Sequence, residues 1–173
     1  MKTLVIYKSK TGFTKKYAEW IGEELSCEVV DVNDSGKVSF KDFDLIIYGE
    51  FINAGKLSGI KKIKSLSEEG KCKLVVFATG ASPAELHDYI EDMWRGNNID
   101  DKTPHFYMQA GICYEKMDLF TRLIMKLFAK MMKKKKDKNQ TETGKADALQ
   151  NSFDISSREF IKPLVEYVGG NSL

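Results

Sequence analysis

The stretch Thr3-Leu4-Val5-Ile6-Tyr7-Lys8-Ser9-Lys10-Thr11-Gly12-Phe13-Thr14 decides how the rest of the chain is read. Its first half is a short, β-branched apolar run that reads as a buried strand. The sequence "KKYAEWIGEEL" that follows it sets Tyr17, Ala18, Ile21 and Leu25 on one helical face. Between strand and helix sits S-K-T-G-F-T, with three hydroxyl side chains and one glycine in six residues. A helix N-terminus has unpaired N–H groups and a partial positive charge, so it attracts anions. Gly12 permits close approach of the backbone, Ser9, Thr11 and Thr14 add hydroxyl donors, and Lys10 adds positive charge. Such a turn suits a terminal phosphate. Its alternative is an N-cap by Thr11 or Thr14 beside a turn glycine, which needs no ligand. The turn is neither a Walker A loop nor a GxGxxG fingerprint, which argues against nucleoside triphosphates and dinucleotides.

Four further runs resemble the first, at residues 27–32, 43–49, 72–79 and 106–112. They are continuously apolar rather than alternating, as expected of strands covered on both faces of a parallel sheet. Helical patterns separate them at residues 58–66 and 84–94, whereas residues 33–41 are polar and only weakly helical. A last amphipathic pattern spans residues 153–168, where Pro163 predicts a kink or a later start. This order predicts an α/β, doubly wound parallel sheet of five strands in the order 2-1-3-4-5, with helices on both faces. Its ligand crevice lies outside the strand C-termini, near strands 1 and 3. The 173 residues suit one domain, 1–173, with a helical insertion at about 113–152.

Overall charge is near balance, with 27 Lys/Arg against 25 Asp/Glu. Between Lys116 and Lys136, however, eight basic residues meet only one acid, Asp118, which leaves the remainder net acidic. Drawn as a helix, this segment places Phe120, Ile124, Leu127, Phe128 and Met131 on one stripe and Arg122, Lys126 and Lys130 on another. That pattern fits a helix packed on its own domain or one lying on an anionic membrane surface. It lacks the interleaved aromatics of a nucleic-acid site, and no nucleic-acid partner is expected. No apolar run is long enough to span a bilayer, and the first residues read as a strand rather than a signal peptide. Cys27, Cys72 and Cys113 are scattered without metal-ligand spacing, which fits a reducing cytoplasm. His87 and His105 stand alone, so no metal site is expected. No protein acid, base or nucleophile stands out as catalytic.

The S-K-T-G-F-T turn resembles the [ST]-x-T-G-x-T phosphate loop of flavodoxins. That resemblance implies FMN as cofactor, with its phosphate held by Ser9, Lys10, Thr11, Gly12, Phe13 and Thr14. It also implies two ring-binding loops after strands three and four. The first comprises Phe51, Ile52, Asn53, Ala54 and Gly55, and the second Thr79, Gly80, Ala81 and Ser82. Flavodoxins usually stack a Trp or Tyr on the flavin, whereas this chain has Asn53-Ala54 at that place. Phe51 or Tyr114 would substitute, or each is buried packing. The stretch "QAGICYEKMDLFTRLIMKLFAKM" further resembles the basic, apolar insertion of menaquinone-dependent protoporphyrinogen dehydrogenases, a flavodoxin-fold family. It implies an FMN-dependent oxidoreductase passing electrons from a tetrapyrrole to a quinone, in the cytoplasm or peripherally on the inner face of the cell membrane. The alternative is a flavodoxin-like electron carrier whose insertion docks a redox protein.

Overall fold

A computed structural model describes residues 1–117, 119, 122–123 and 151–170. The expected helix between Lys116 and Lys136 therefore lies largely outside the described residues. The chain divides into two compact units, one of Met1–Ala110 with Ser156–Leu173 and the other Gly111–Ile155.

In the first unit the elements are β1 (Thr3–Lys8), α1 (Phe13–Leu25), β2 (Glu28–Asp31), β3 (Leu45–Phe51), α2 (Ile60–Gly70), β4 (Lys73–Gly80), α3 (His87–Gly96), β5 (His105–Gln109) and a final helix, Lys162–Gly170. The strands form one five-stranded sheet in the order β2-β1-β3-β4-β5, and every pairing is parallel. The expected topology holds. It follows from right-handed crossovers applied to alternating strands and helices.

The unbroken apolar character of the strands has the expected cause. Leu4, Ile6, Ile46, Tyr48, Val76 and Ala78 point to one side, against Ile60 and Ile63 of α2 and Ile90, Met93 and Trp94 of α3. Val5, Ile47, Val75, Phe77 and Met108 point to the other, against Tyr17, Ala18 and Ile21 of α1 and Leu164 and Val168 of the final helix. The central strands β1, β3 and β4 thus bury alternate residues on two faces, removing apolar surface from water twice over.

Several boundaries differ from expectation. β3 begins at Leu45 and runs on through Glu50 and Phe51, two residues further than its apolar run. The 33–41 crossover contains only two 3-10 turns, Ser35–Lys37 and Phe40–Asp42. The fifth run, 106–112, is not one strand. It stops at Gln109, and Gly111–Ile112 (β6) pairs antiparallel with Phe153–Asp154 (β7) inside the second unit. The last pattern starts later than 153, as a 3-10 turn at Arg158–Ile161 followed by α4 (Lys162–Gly170). Pro163 falls in its first turn, where a missing N–H costs no intrahelical bond. Arg158 ties this turn to α1 by pairing with Glu23 and with Glu24, the latter at 3.1 Å.

Candidate functional site: three loops at the strand ends

The parallel register brings the expected loops to one edge of the sheet. Lys8 at the end of β1 lies beside Glu50, and Phe51 at the end of β3 lies beside Thr79. The turn Ser9–Gly12, the loop 52–59 and the loop 81–86 therefore all leave the sheet at the C-terminal ends of neighbouring strands.

The first turn is built around Gly12, whose φ of 101° is left-handed and open to glycine at little cost. Gly12, rather than Thr11 or Thr14, is the N-cap of α1, so no side chain caps the helix. Ser9 Oγ accepts the Gly12 N–H at 3.1 Å and so shapes the turn itself. The N–H groups of the first helical turn, from Phe13 onward, have no intrahelical acceptor. Thr11 is half-buried beside them and Lys10 is exposed. This donor set fits an anionic terminal group.

Thr14 is placed differently from a free phosphate donor. It is buried, and its hydroxyl lies 2.8 Å from that of Thr79 at the end of β4. The pair fastens the first turn to the third loop. Two hydroxyls joined by one hydrogen bond keep one O–H to donate elsewhere.

In the second loop, the Ile52 N–H donates to the Thr79 carbonyl at 2.9 Å, so this residue extends the sheet before the chain turns. Asn53 and Lys56 then exchange two backbone hydrogen bonds, both 3.0 Å, around a tight turn. Its central residues, Ala54 and Gly55, have φ values of 48° and 78°, the pattern of a type I′ turn. Asn53 and Ala54 are exposed, whereas Phe51 and Ile52 are half-buried. The turn is held from a distance by Asn97, which accepts the Leu57 N–H at 2.8 Å and donates to the Gly55 carbonyl at 2.8 Å.

The third loop is tied to β5. The Tyr107 hydroxyl donates to the Ser82 carbonyl at 2.7 Å, and the Ala84 N–H donates to Gln109 Oε1 at 3.2 Å. Burial pushes the Tyr107 phenol well above its ordinary value of 10.0. Thr79 and Gly80 are the last residues of β4 rather than loop residues, and Ala81 and Ser82 follow them half-buried. Tyr114 lies in the second unit, where it is 3% exposed and burial pushes its phenol upward. His105 Nδ1 donates to the Thr103 carbonyl at 2.7 Å and its ring packs 4.7 Å from that of Trp94, while His87 is exposed at the start of α3.

Glu50 is the residue that sequence reasoning passed over. It is a carboxylate 1% exposed at the mouth of the strands. In the sequence it reads as the polar stop to an apolar run. Only the register, which sets it beside Lys8, reveals its partners.

No curated protein matches the chain. Among solved structures, a flavodoxin from the domain Archaea is 20% identical, with 63% of this chain and 85% of that one covered and a TM-score of 0.39. The Trp repressor binding protein from Bacillus subtilis is 15% identical, with 62% and 84% covered and a TM-score of 0.41. A family model described as a flavodoxin domain matches residues 4–139. That span takes in every loop at the strand ends, and the chain therefore belongs to the flavodoxin domain family, which implies a flavin cofactor.

Proposed function

We propose that the protein is an FMN-dependent oxidoreductase of flavodoxin type. The observation that carries this reading is the uncapped N-terminus of α1 at a left-handed Gly12, in a turn with Ser9, Thr11 and Thr14 that leaves the sheet at the same end as the two other loops. One terminal phosphate satisfies that donor set. No second glycine-rich turn follows for an adenylate half, so FMN fits better than FAD. When bound, FMN supplies reversible one- and two-electron transfer between a reduced substrate and an acceptor. The chain's own residues do the rest: the first turn holds the phosphate, the tied loops 52–59 and 81–86 fix the ring, and their half-buried apolar residues exclude water.

For the substrate we propose a tetrapyrrole such as protoporphyrinogen, with a quinone as acceptor. Hydrogen leaves the tetrapyrrole in pairs, and each pair reduces one quinone to a quinol. Support comes from the basic, apolar sequence between Lys116 and Lys136, which resembles the insertion of menaquinone-dependent protoporphyrinogen dehydrogenases. No helix of the described residues is long and apolar enough to cross a membrane. A cytoplasmic protein that rests on an anionic inner membrane face through this segment would still reach a lipid-dissolved quinone. Each basic residue near such a surface contributes about 1 kcal/mol.

The test begins with reconstitution against both flavins, followed by mass spectrometry of the ligand retained. FMN is the expected ligand, and preferential retention of FAD overturns that choice. The FMN-loaded protein is then given protoporphyrinogen with a quinone, in the presence of anionic or neutral liposomes. Quinone-dependent oxidation, with salt-sensitive sedimentation on anionic liposomes only, is the expected result. A second reading, an electron carrier docking on redox proteins, is favoured by exposed Leu86 and Tyr89 at the start of α3. They lie three residues apart beside the third loop. Turnover with a redox protein but not with quinone would select it.

A further inference from the structure

Glu50 sits next to the last residue of β3 and opposite Lys8, the last residue of β1. Lys8 Nζ approaches Glu50 Oε1 at 3.1 Å, and Ser58 Oγ donates to the same oxygen at 2.8 Å. Oε2 accepts the Gly59 N–H at 2.8 Å and the Tyr48 O–H at 3.0 Å. Lys8 also donates to Ser58 Oγ, which closes the ring of contacts. A carboxylate offers about four lone-pair sites, and here each oxygen meets two donors. Gly59 makes the arrangement sterically feasible, because a Cβ there would strike the Tyr48 hydroxyl and crowd Glu50 Oε2.

The placement of these donors matters more than their number. Tyr48 belongs to β3 before loop 52–59, whereas Ser58 and Gly59 close that loop. Lys8 immediately precedes the Ser9–Gly12 turn. One buried carboxylate therefore joins both ends of the second loop to the root of the first. Burying an ion pair brings little net stability, and an apolar side chain of similar volume often serves a core as well or better. What the pair adds is geometry.

We propose that Glu50 is a positioning residue of the flavin site, a staple that fixes loop 52–59 against the phosphate turn before any ligand arrives. This rests on the flavin reading above. A loop already ordered loses less conformational entropy on binding. Without the staple, ligand binding must supply that ordering, so affinity falls for whatever the loop touches. The phosphate turn keeps its own architecture, since Gly12, Ser9 and the Thr14–Thr79 pair lie outside the network.

The deciding experiment compares the wild type with Glu50→Gln, Lys8→Met and Ser58→Ala. Ser58 is exposed and its loss leaves Glu50 with Lys8, Gly59 and Tyr48 as partners, so Ser58→Ala keeps a fold even where Glu50→Gln does not. FMN and riboflavin titrations are set beside hydrogen exchange of the apoprotein at residues 51–59. Expected in Glu50→Gln is a loss of about tenfold for both ligands alike, with faster exchange confined to the loop. Lys8→Met and Ser58→Ala should move both readouts the same way to a smaller extent. A purely structural role would lower thermal stability while leaving flavin affinity and local exchange unchanged, and that result overturns the proposal. If the wild type binds no flavin, the reading of the crevice fails. Loop exchange in the apoprotein then still tells whether Glu50 fixes the loop.

Discussion

Thr11 and Thr14 look equivalent in the S-K-T-G-F-T turn, yet their surroundings separate them. Thr11 is half-buried at the turn, whereas Thr14 is spent partly on Thr79, 2.8 Å away and 65 positions along the chain. A hydrogen bond to a charged group contributes roughly 1.5–3 kcal/mol. Thr11→Val should therefore weaken FMN by at least about tenfold and leave riboflavin nearly unchanged. Thr14→Val should weaken both, because it also frees the turn from β4. Fluorescence titration with the two flavins checks this pair of outcomes. Equal losses in Thr11→Val would mean that its hydroxyl does not meet the phosphate.

At the scale of elements, the turn Asn53–Lys56 shows what a short segment demands of its residues. A type I′ turn requires positive φ at both central positions, and Asn-Gly meets that demand best. Here Ala54 occupies the first position at a φ of 48°, where a Cβ is costly. Ala54→Asn should stabilise the protein by roughly 0.5–1 kcal/mol, read as a higher urea midpoint. The strands were legible because two-sided burial writes a plain apolar run into the sequence. The end of β3 was not, since a charged Glu50 inside a strand makes sense only once its donors are assembled, among them Lys8, brought from 42 positions away by the β1–β3 register. Asn97 was illegible for the same reason: its partners at Gly55 and Leu57 are 42 and 40 positions distant. The 106–112 run misled because an apolar sequence does not record which sheet it joins. The turn between β1 and α1 was readable since Gly12 acts locally, on the backbone that carries it.

For the whole molecule, phenols held away from water shape behaviour in base, foremost the buried Tyr48 and the half-buried Tyr107. Burial, reinforced by the Glu50 carboxylate, raises Tyr48 well above its ordinary 10.0, and burial does the same for Tyr107. A raised folded-state value means that the stabilising contribution is complete below the unfolded value near 10. Above it the unfolded chain sheds protons that the folded chain keeps, so stability falls as pH rises. The urea midpoint should drop between about pH 9 and about pH 11, and Tyr107→Phe should make the drop shallower. An unchanged slope in that variant would place the alkaline sensitivity elsewhere. The composition of the first unit, 1–110 with 156–173, has a consequence for synthesis. Ile161, Leu164 and Val168 cover the sheet face of Val75, Phe77 and Met108. On the ribosome, all three strand-end loops emerge long before these three residues do. The part of that face which α1 leaves uncovered therefore stays bare while the intervening segment is translated, and it is shielded only after the final helix clears the exit tunnel.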